Sequence, residues 1–183
     1  IPDERTLYWS VRPSARYPTL ELRMCDVCPR IDEAVLIAAF ARAIVVAAAE
    51  ELIPPTRSSL GESLLGEILR ENEWMAARDG LDATLIAPQR SARSVPVRQA
   101  IEELVECVLP VAARLGHAEA VAAVRTIVQQ GNAADRMRRR RHAADSMQAL
   151  TSWLVDETRT GTGLGRRARS GGDVGHAAAL AML

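Results

Sequence analysis

The chain has 183 residues, of which 48% are apolar and 25% charged, and its formal net charge is zero. This composition is ordinary for a soluble globular domain, and the charge balance gives no reason to expect nucleic acid or a membrane surface as a partner. All 23 basic residues are arginine, so no lysine is available as a nucleophile, and anions must be held by arginine, backbone amides or metal.

The first 27 residues contain two predicted strands. Residues 7–12 (LYWSVR) mix aromatic and β-branched side chains, and a proline-rich turn at residues 13–18 follows. Residues 19–25 then alternate strictly, with Leu20, Leu22 and Met24 on the side that we expect to face the core. Because the connection is short, the two strands are predicted to form an antiparallel pair.

Five helices are predicted after Pro29. Their ranges are residues 33–52, 62–79, 97–115, 118–130 and 133–156, with Asp32 as the N-cap of the first. Two prolines at 54–55 end the first helix, and Gly80, Gly116 and Gly131 follow the ends of the next three. Residues 86–94 are predicted as a loop after a weak strand, and residues 160–175 as a flexible segment before a candidate short helix at 176–183.

The strands are thus expected only in the first thirty residues. A two-stranded ribbon alone is marginal in water, so we expect it to belong to a larger sheet that a preceding segment or another chain supplies. The predicted class is α+β, with an antiparallel ribbon followed by a mostly helical region.

The cysteines and the apolar segments indicate a cytoplasmic protein. Three cysteines, at 25, 28 and 107, do not suit the paired disulfides of secreted proteins. Cys25 and Cys28 form a C-x-x-C pair, but no second pair or nearby histidine completes the four ligands that zinc needs. The first residues lack the apolar segment of a signal peptide, and the longest apolar run, residues 34–49, is too short to cross a membrane.

The ribbon carries the strongest chemical signal. Glu21 and Arg23 share one strand face, and Arg12 is within reach from the neighbouring strand. A carboxylate between two guanidiniums can hold Mg²⁺ and phosphate together, because oxygen ligands suit Mg²⁺ and the arginine fork suits phosphate. A surface ladder of cross-strand ion pairs gives the same pattern, and the pattern alone leaves both interpretations open.

Three segments resemble, in the right order, the signatures of the type 2 glutamate–cysteine ligase family and related carboxylate–amine ligases. Residues 8–26 resemble its YW-D-x-RPS-x-x-x-G-T-x-E-x-R-x-x-D signature, with Ser10 where an acid is common and Pro18 where glycine is common. Residues 72–83 (NEWMAARDGLDA) are similar to N-x-W-x-A-x-R-x-G-L-x-A, and residues 131–138 (GNAADRMR) to G-x-x-A-x-R-Q-R. We interpret residues 1–158 as the C-terminal part of a carboxylate–amine ligase domain and residues 159–183 as a tail.

The resemblance implies a glutamine synthetase-like fold and an ATP-dependent ligase. In this family ATP phosphorylates a carboxylate, typically the γ-carboxylate of glutamate, and an amine attacks the acyl phosphate to give an amide. By the same resemblance Glu21 would bind Mg²⁺, Arg23 would hold the transferring phosphate or the substrate carboxylate, and Arg12 would contact the phosphates of ATP. Such catalysis rests on positioning and on neutralising phosphate charge.

Other arginines are weaker candidates. Arg138 opens a run of four arginines and is a candidate contact for an ATP phosphate, although a solvated helix start also explains the run. Trp74 and Arg78 lie four residues apart and share a helix face, as a packed tryptophan beside an ion-paired or solvated arginine would. The three histidines are predicted to lie at the surface without a catalytic role.

The first half of the family supplies a Gly-x-Glu-x-Glu strand whose acids complete the metal site, and this sequence has no such element. We therefore expect the chain to need an N-terminal half or a companion chain, to be inactive alone, and to form a homo-oligomer through an exposed sheet edge. The alternative is a non-catalytic helical scaffold or interaction module derived from such a ligase. Glu21, Arg23 and Arg12 around one cavity would favour the enzyme, whereas ion-paired, occluded side chains would favour that alternative.

Overall fold

The computed structural model describes residues 10–53, 62–87 and 93–160, which form a mostly helical α+β structure with two small antiparallel strand pairs. The strands are β1 (Val11–Pro13), β2 (Leu20–Leu22), β3 (Thr84–Ala87) and β4 (Arg93–Pro96). The helices are α1 (Ile31–Ala49), α2 (Glu62–Asp79), α3 (Val97–Arg114), α4 (Ala118–Ala122), α5 (Val124–Gln130), α6 (Ala133–Ala143) and α7 (Met147–Thr160). Within these ranges, no helix combines the length and the apolar composition that crossing a membrane requires.

The predicted ribbon forms, but its apolar side faces outward. β1 and β2 are antiparallel, as predicted, with Arg12 paired to Glu21 in the register. Leu20, Leu22 and Met24, which were expected to face the core, are 44%, 39% and 54% exposed. The expectation was wrong because the main core of the described residues assembles elsewhere, among α1, α3, α4 and α5.

A second strand pair contradicts the expectation that strands end within the first thirty residues. β3 pairs with β4 in an antiparallel register that runs from Thr84–Pro96 to Ala87–Arg93. β4 consists of Arg, Ser, Val and Pro, and only Val favours strands. Tertiary packing stabilises this strand pair, because Leu85 of β3 packs on a small core of Leu81, Ala83 and Val97.

The main core is built from small apolar side chains of α1, α3 and α4. Its largest fully buried side chains are four valines: Val105, Val108, Val111 and Val121. The first three recur at three-residue spacing along α3, so they lie on one face of the helix. Ala43 and Ala47 of α1 are also fully buried in this core, which lets the two helices pack closely.

Several helix boundaries differ from their predictions. α1 begins at Ile31 after an Arg30 N-cap, so Asp32 lies in the first turn and is not the N-cap. The predicted helix 118–130 divides at Ala123 into α4 and α5, and the predicted helix 133–156 divides before α7. The second division has a local cause, because the Ser146 hydroxyl accepts a hydrogen bond from the Ala149 N–H at 3.2 Å and so caps α7.

The predicted glycine stops are confirmed. Gly80, Gly116 and Gly131 follow α2, α3 and α5 with φ of +60°, +75° and +96°, a backbone region that glycine enters without steric cost. The predicted proline stop at 54–55 and the predicted flexible segment with its short helix after residue 160 lie outside the described residues, as do residues 7–9 of the predicted first strand.

Candidate ligase site

Arg12 and Glu21 face each other across the ribbon. The register of β1 and β2 places them opposite one another, and Arg12 Nε donates a hydrogen bond to Glu21 Oε2 at 2.7 Å. The Arg12 side chain is 17% exposed and the Glu21 side chain 40% exposed. Two of the three predicted ribbon residues are therefore in direct contact, with the Glu21 carboxylate held by a guanidinium and still partly open to solvent.

Arg23 lies one residue beyond the end of β2. Its backbone N–H donates to the Ser10 carbonyl at 2.8 Å, which extends the ladder of the ribbon by one residue pair. Strand alternation places Arg23 on the same side of this ladder as Glu21. Its side chain is exposed.

Arg138 lies on α6, in an ion pair within its own helix. Arg138 Nη2 donates to Asp135 Oδ1 at 2.7 Å, and the arginine side chain is 57% exposed. Arg138 Nη2 also lies near Gly80, which follows the end of α2. A Cβ atom placed on Gly80 would be 3.9 Å from that nitrogen.

The three motif segments adjoin one another in space. Ser10 of the first segment donates a hydrogen bond to the Glu73 carboxylate of the second. Gly80 of the second segment lies beside Asn132 of the third, where an added Cβ would meet Asn132 Nδ2 at 3.8 Å. Segments separated by about fifty residues or more in the sequence thus form one connected region.

The role of Asn72 was not recognised from the sequence. Its side-chain amide donates to the Ile86 carbonyl at 2.8 Å, and its carbonyl oxygen accepts from the Ile86 N–H at 2.7 Å. This pair of hydrogen bonds fixes β3 against α2. The available signal was an asparagine inside a helix, since that residue is a weak helix former whose side chain seeks backbone partners.

Trp74 and Arg78 share a helix face, as predicted. The Arg78 guanidinium lies 4.2 Å from the centroid of the Trp74 ring, and its Nε and Nη2 donate to the Asp79 carboxylate at 2.8 and 2.5 Å. The hydrogen bond from Arg78 lowers the pKa of Asp79 below its usual value. The arginine is therefore ion-paired, whereas the tryptophan is 53% exposed and not packed in a core.

A buried charge cluster, consisting of Arg30, Glu33, Arg136 and Glu157, was also missed. Arg30 makes two hydrogen bonds to Glu157, at 2.5 and 2.9 Å. Arg136 Nη2 lies 2.6 Å from Glu33 Oε1, and its Nε lies 3.7 Å from Glu157 Oε2. Glu33 and Glu157 are only 5% and 9% exposed. The sequence signal was Arg136 itself, which stands two residues before the predicted Arg138 in the same motif.

Cysteine and carboxylate side chains do not gather into a metal site within the described ranges. Across residues 10–53, 62–87 and 93–160, no three His, Cys, Asp or Glu residues are placed to hold a metal ion together. Cys25 and Cys28 are free thiols. Burial, followed by the nearby Glu33 carboxylate, raises the pKa of the Cys28 thiol, which keeps that thiol protonated and weakly nucleophilic.

Comparison with known proteins identifies the family. The model of glutamate–cysteine ligase family 2 matches residues 1–153. A protein of Solibacter usitatus named "Putative glutamate–cysteine ligase 2" is 35% identical over 162 residues, which cover 88% of this chain and 41% of the relative. A protein of the same name from Rhodospirillum rubrum is 38% identical over 135 residues, covering 73% of this chain and 33% of the relative. The chain therefore spans about two fifths or less of these relatives, and it belongs to glutamate–cysteine ligase family 2.

Proposed function

We propose that this chain is the C-terminal part of an ATP-dependent carboxylate–amine ligase with a glutamine synthetase-like fold. The reaction would transfer a phosphoryl group from ATP to a carboxylate, for which glutamate is the first candidate, and then transfer the acyl group to an amine with release of phosphate. We expect this ligase to act in the cytoplasm as an oligomer. The family match and the names of the relatives support a ligase over the scaffold alternative.

The observation that carries the proposal is that Glu21, although it is ion-paired with Arg12 inside the first motif, is not occluded. A carboxylate next to a guanidinium offers an oxygen ligand for Mg²⁺ and a fork of donors for phosphate. The Glu21 side chain retains 40% exposure, so an incoming ligand can still reach it. We assign magnesium binding to Glu21, phosphate or carboxylate binding to Arg23, and ATP phosphate contacts to Arg12 and Arg138.

The candidate site residues are of the types that bind Mg²⁺–ATP, but they include too few carboxylates for a complete magnesium site. One carboxylate can contribute to a magnesium site, whereas Mg²⁺ bound to ATP commonly uses one or two carboxylates as well as the phosphates. We therefore place further acidic ligands in the part of the longer protein that this chain does not span. Bound Mg²⁺–ATP would supply the phosphoryl group and neutralise its charge, while Arg12 and Arg23 orient the phosphates and the substrate carboxylate.

A chimera tests the function. In it, this chain replaces the matching part of the Solibacter usitatus relative, and ADP release is measured with glutamate and a panel of amines that includes cysteine. We expect release that depends on both substrates, and a loss of about 100-fold or more in kcat for Glu21→Gln and for Arg23→Ala. The 183-residue chain alone should give no turnover.

The matched control is Glu67→Gln, which removes an exposed carboxylate paired with Arg70 on α2 and should leave kcat unchanged. If the Glu21 and Arg23 variants keep near-normal turnover while the thermal stability of the Glu21 variant falls, the Arg12–Glu21 pair is only a structural ladder. That result would remove both residues from the mechanism.

A further inference from the structure

Large apolar side chains are exposed both on the ribbon and on α1, and Leu22 of the ribbon shares a groove with α1. We define this outer apolar face by Leu20, Leu22, Met24, Ile31 and Val35. Their exposed fractions range from 39% for Leu22 to 68% for Ile31. Five large apolar side chains exposed on adjoining elements of one protein indicate a surface that another polypeptide covers.

The outer apolar face continues into a groove of about 440 Å³ between the loop after β2 and α1. Leu22 lines one side of the groove, and Ala34, Ile37 and Ala38 of α1 line the other. Asp26 is the only charged residue among the described residues that line it. A groove with apolar walls and one acid suits an apolar polypeptide segment and does not suit an anionic nucleic acid or an acidic lipid surface.

Both faces of the ribbon are partly open to solvent. On the polar side, the Arg12 and Glu21 side chains are 17% and 40% exposed, and neighbouring Ser10 bonds to Glu73 of α2. On the apolar side, Leu20 and Leu22 are 44% and 39% exposed. An apolar strand face is normally the buried one, so this arrangement is reasonable only if a further layer packs on that side.

We propose that the outer apolar face is the docking surface for the part of the longer family protein that this chain does not span. This inference rests on the proposed function, which already requires such a part. The Solibacter usitatus relative extends well beyond the 41% that this chain matches, and a two-stranded ribbon needs additional strands or a packed layer for stability. The occupant would place apolar side chains against Leu22 and Val35.

Co-expression in two pieces tests the docking. The 183-residue chain carries an affinity tag, and the unmatched part of the Solibacter usitatus relative is expressed as a separate polypeptide without a tag. We expect a one-to-one complex by light scattering. Leu22→Asp and Val35→Asp should each reduce recovery of the second polypeptide at least tenfold, because they put a charge into an apolar contact. Val155→Asp is the matched control, since Val155 is 43% exposed on α7. This substitution should leave recovery of the second polypeptide unchanged.

Cysteine labelling locates the contact independently. Cys25 lines the groove and is exposed, while Cys107 is exposed on α3. In the complex, maleimide should label Cys25 at least tenfold more slowly than in the chain alone, with Cys107 unchanged. Equal recovery of the wild type and both face variants, unprotected Cys25, absence of any complex, or a homodimer that Leu22→Asp dissociates would each overturn the proposal. Since no ATP or substrate is present, docking and turnover can fail separately.

Discussion

At the scale of single residues, Arg78 shows how one side chain can satisfy two neighbours. Its guanidinium stacks over Trp74 and at the same time donates to Asp79. Cation–π stacking uses the face of the planar guanidinium, whereas hydrogen bonding uses its edge. The two contacts are therefore compatible, and together they order a motif residue that would otherwise sample many rotamers.

The Arg78–Asp79 pair predicts a pH dependence. Because the pKa of Asp79 is lowered by the hydrogen bond from Arg78, the pair contributes stability above the ordinary carboxyl pKa of about 3.9 and loses that contribution as the pH falls through the lower folded-state value. In Arg78→Gln, the pKa of Asp79 should rise to its usual range, measured by carboxyl NMR titration. Arg70→Gln, on the same helix, should leave the pKa of Asp79 unchanged from the wild type.

At the scale of elements, the buried charge cluster joins segments that are distant in the chain. Arg30 precedes α1, Glu33 lies in its first turn, Arg136 lies on α6 and Glu157 on α7. Two positive and two negative groups balance, so the cluster buries no net charge. The hydrogen bond to Glu157 also raises the pKa of Arg30. A buried ion pair gives orientation more than net stability, but losing one member leaves a charge unpaired.

Glu157→Gln should therefore destabilise the chain. We expect a loss of about 2–3 kcal/mol in the free energy of unfolding, somewhat below the range for fully buried pairs, because the Arg30 side chain retains 21% exposure. Urea denaturation followed by circular dichroism measures the loss. Glu67→Gln breaks an ion pair whose side chains are 67% and 64% exposed and should change stability by only about 0.5 kcal/mol. An equal effect of the two substitutions would show that the cluster gains nothing from burial.

At the scale of the whole chain, the described residues contain two apolar cores of different size. The larger core joins α1 with α3, α4 and α5, and the smaller one lies under the β3–β4 hairpin. Ile101 of α3 packs against both. α3 is therefore the central element of this part of the protein, and the ribbon lies outside both cores.

The close packing of α1 in the larger core predicts a steric limit. Ala43 is fully buried, so Ala43→Leu should cost about 1–3 kcal/mol of unfolding free energy by forcing the helices apart. Ala48→Leu, at an exposed position of the same helix, should be close to neutral. If both variants unfold at the same urea concentration, the space around Ala43 is larger than the structure indicates.

Features that depend on residues close together in the chain could be predicted from the sequence alone. α2 and the start of α3 were predicted to the residue, because periodicity and glycine stops act over a few residues. The cross-strand approach of Arg12 to Glu21 followed from the short connection of the ribbon. The motifs were also sufficient to recognise the family.

Only the tertiary structure decided which surfaces are buried and which distant residues meet. The β4 strand, the Asn72–Ile86 hydrogen bonds and the charge cluster of Arg136 and Glu33 depend on contacts between segments far apart in the chain, and local propensity carries no information about them. The outward orientation of Leu20 and Leu22 also depends on contacts between segments far apart in the chain. Alternation shows that a strand has an apolar side, but burial of that side depends on what packs against it.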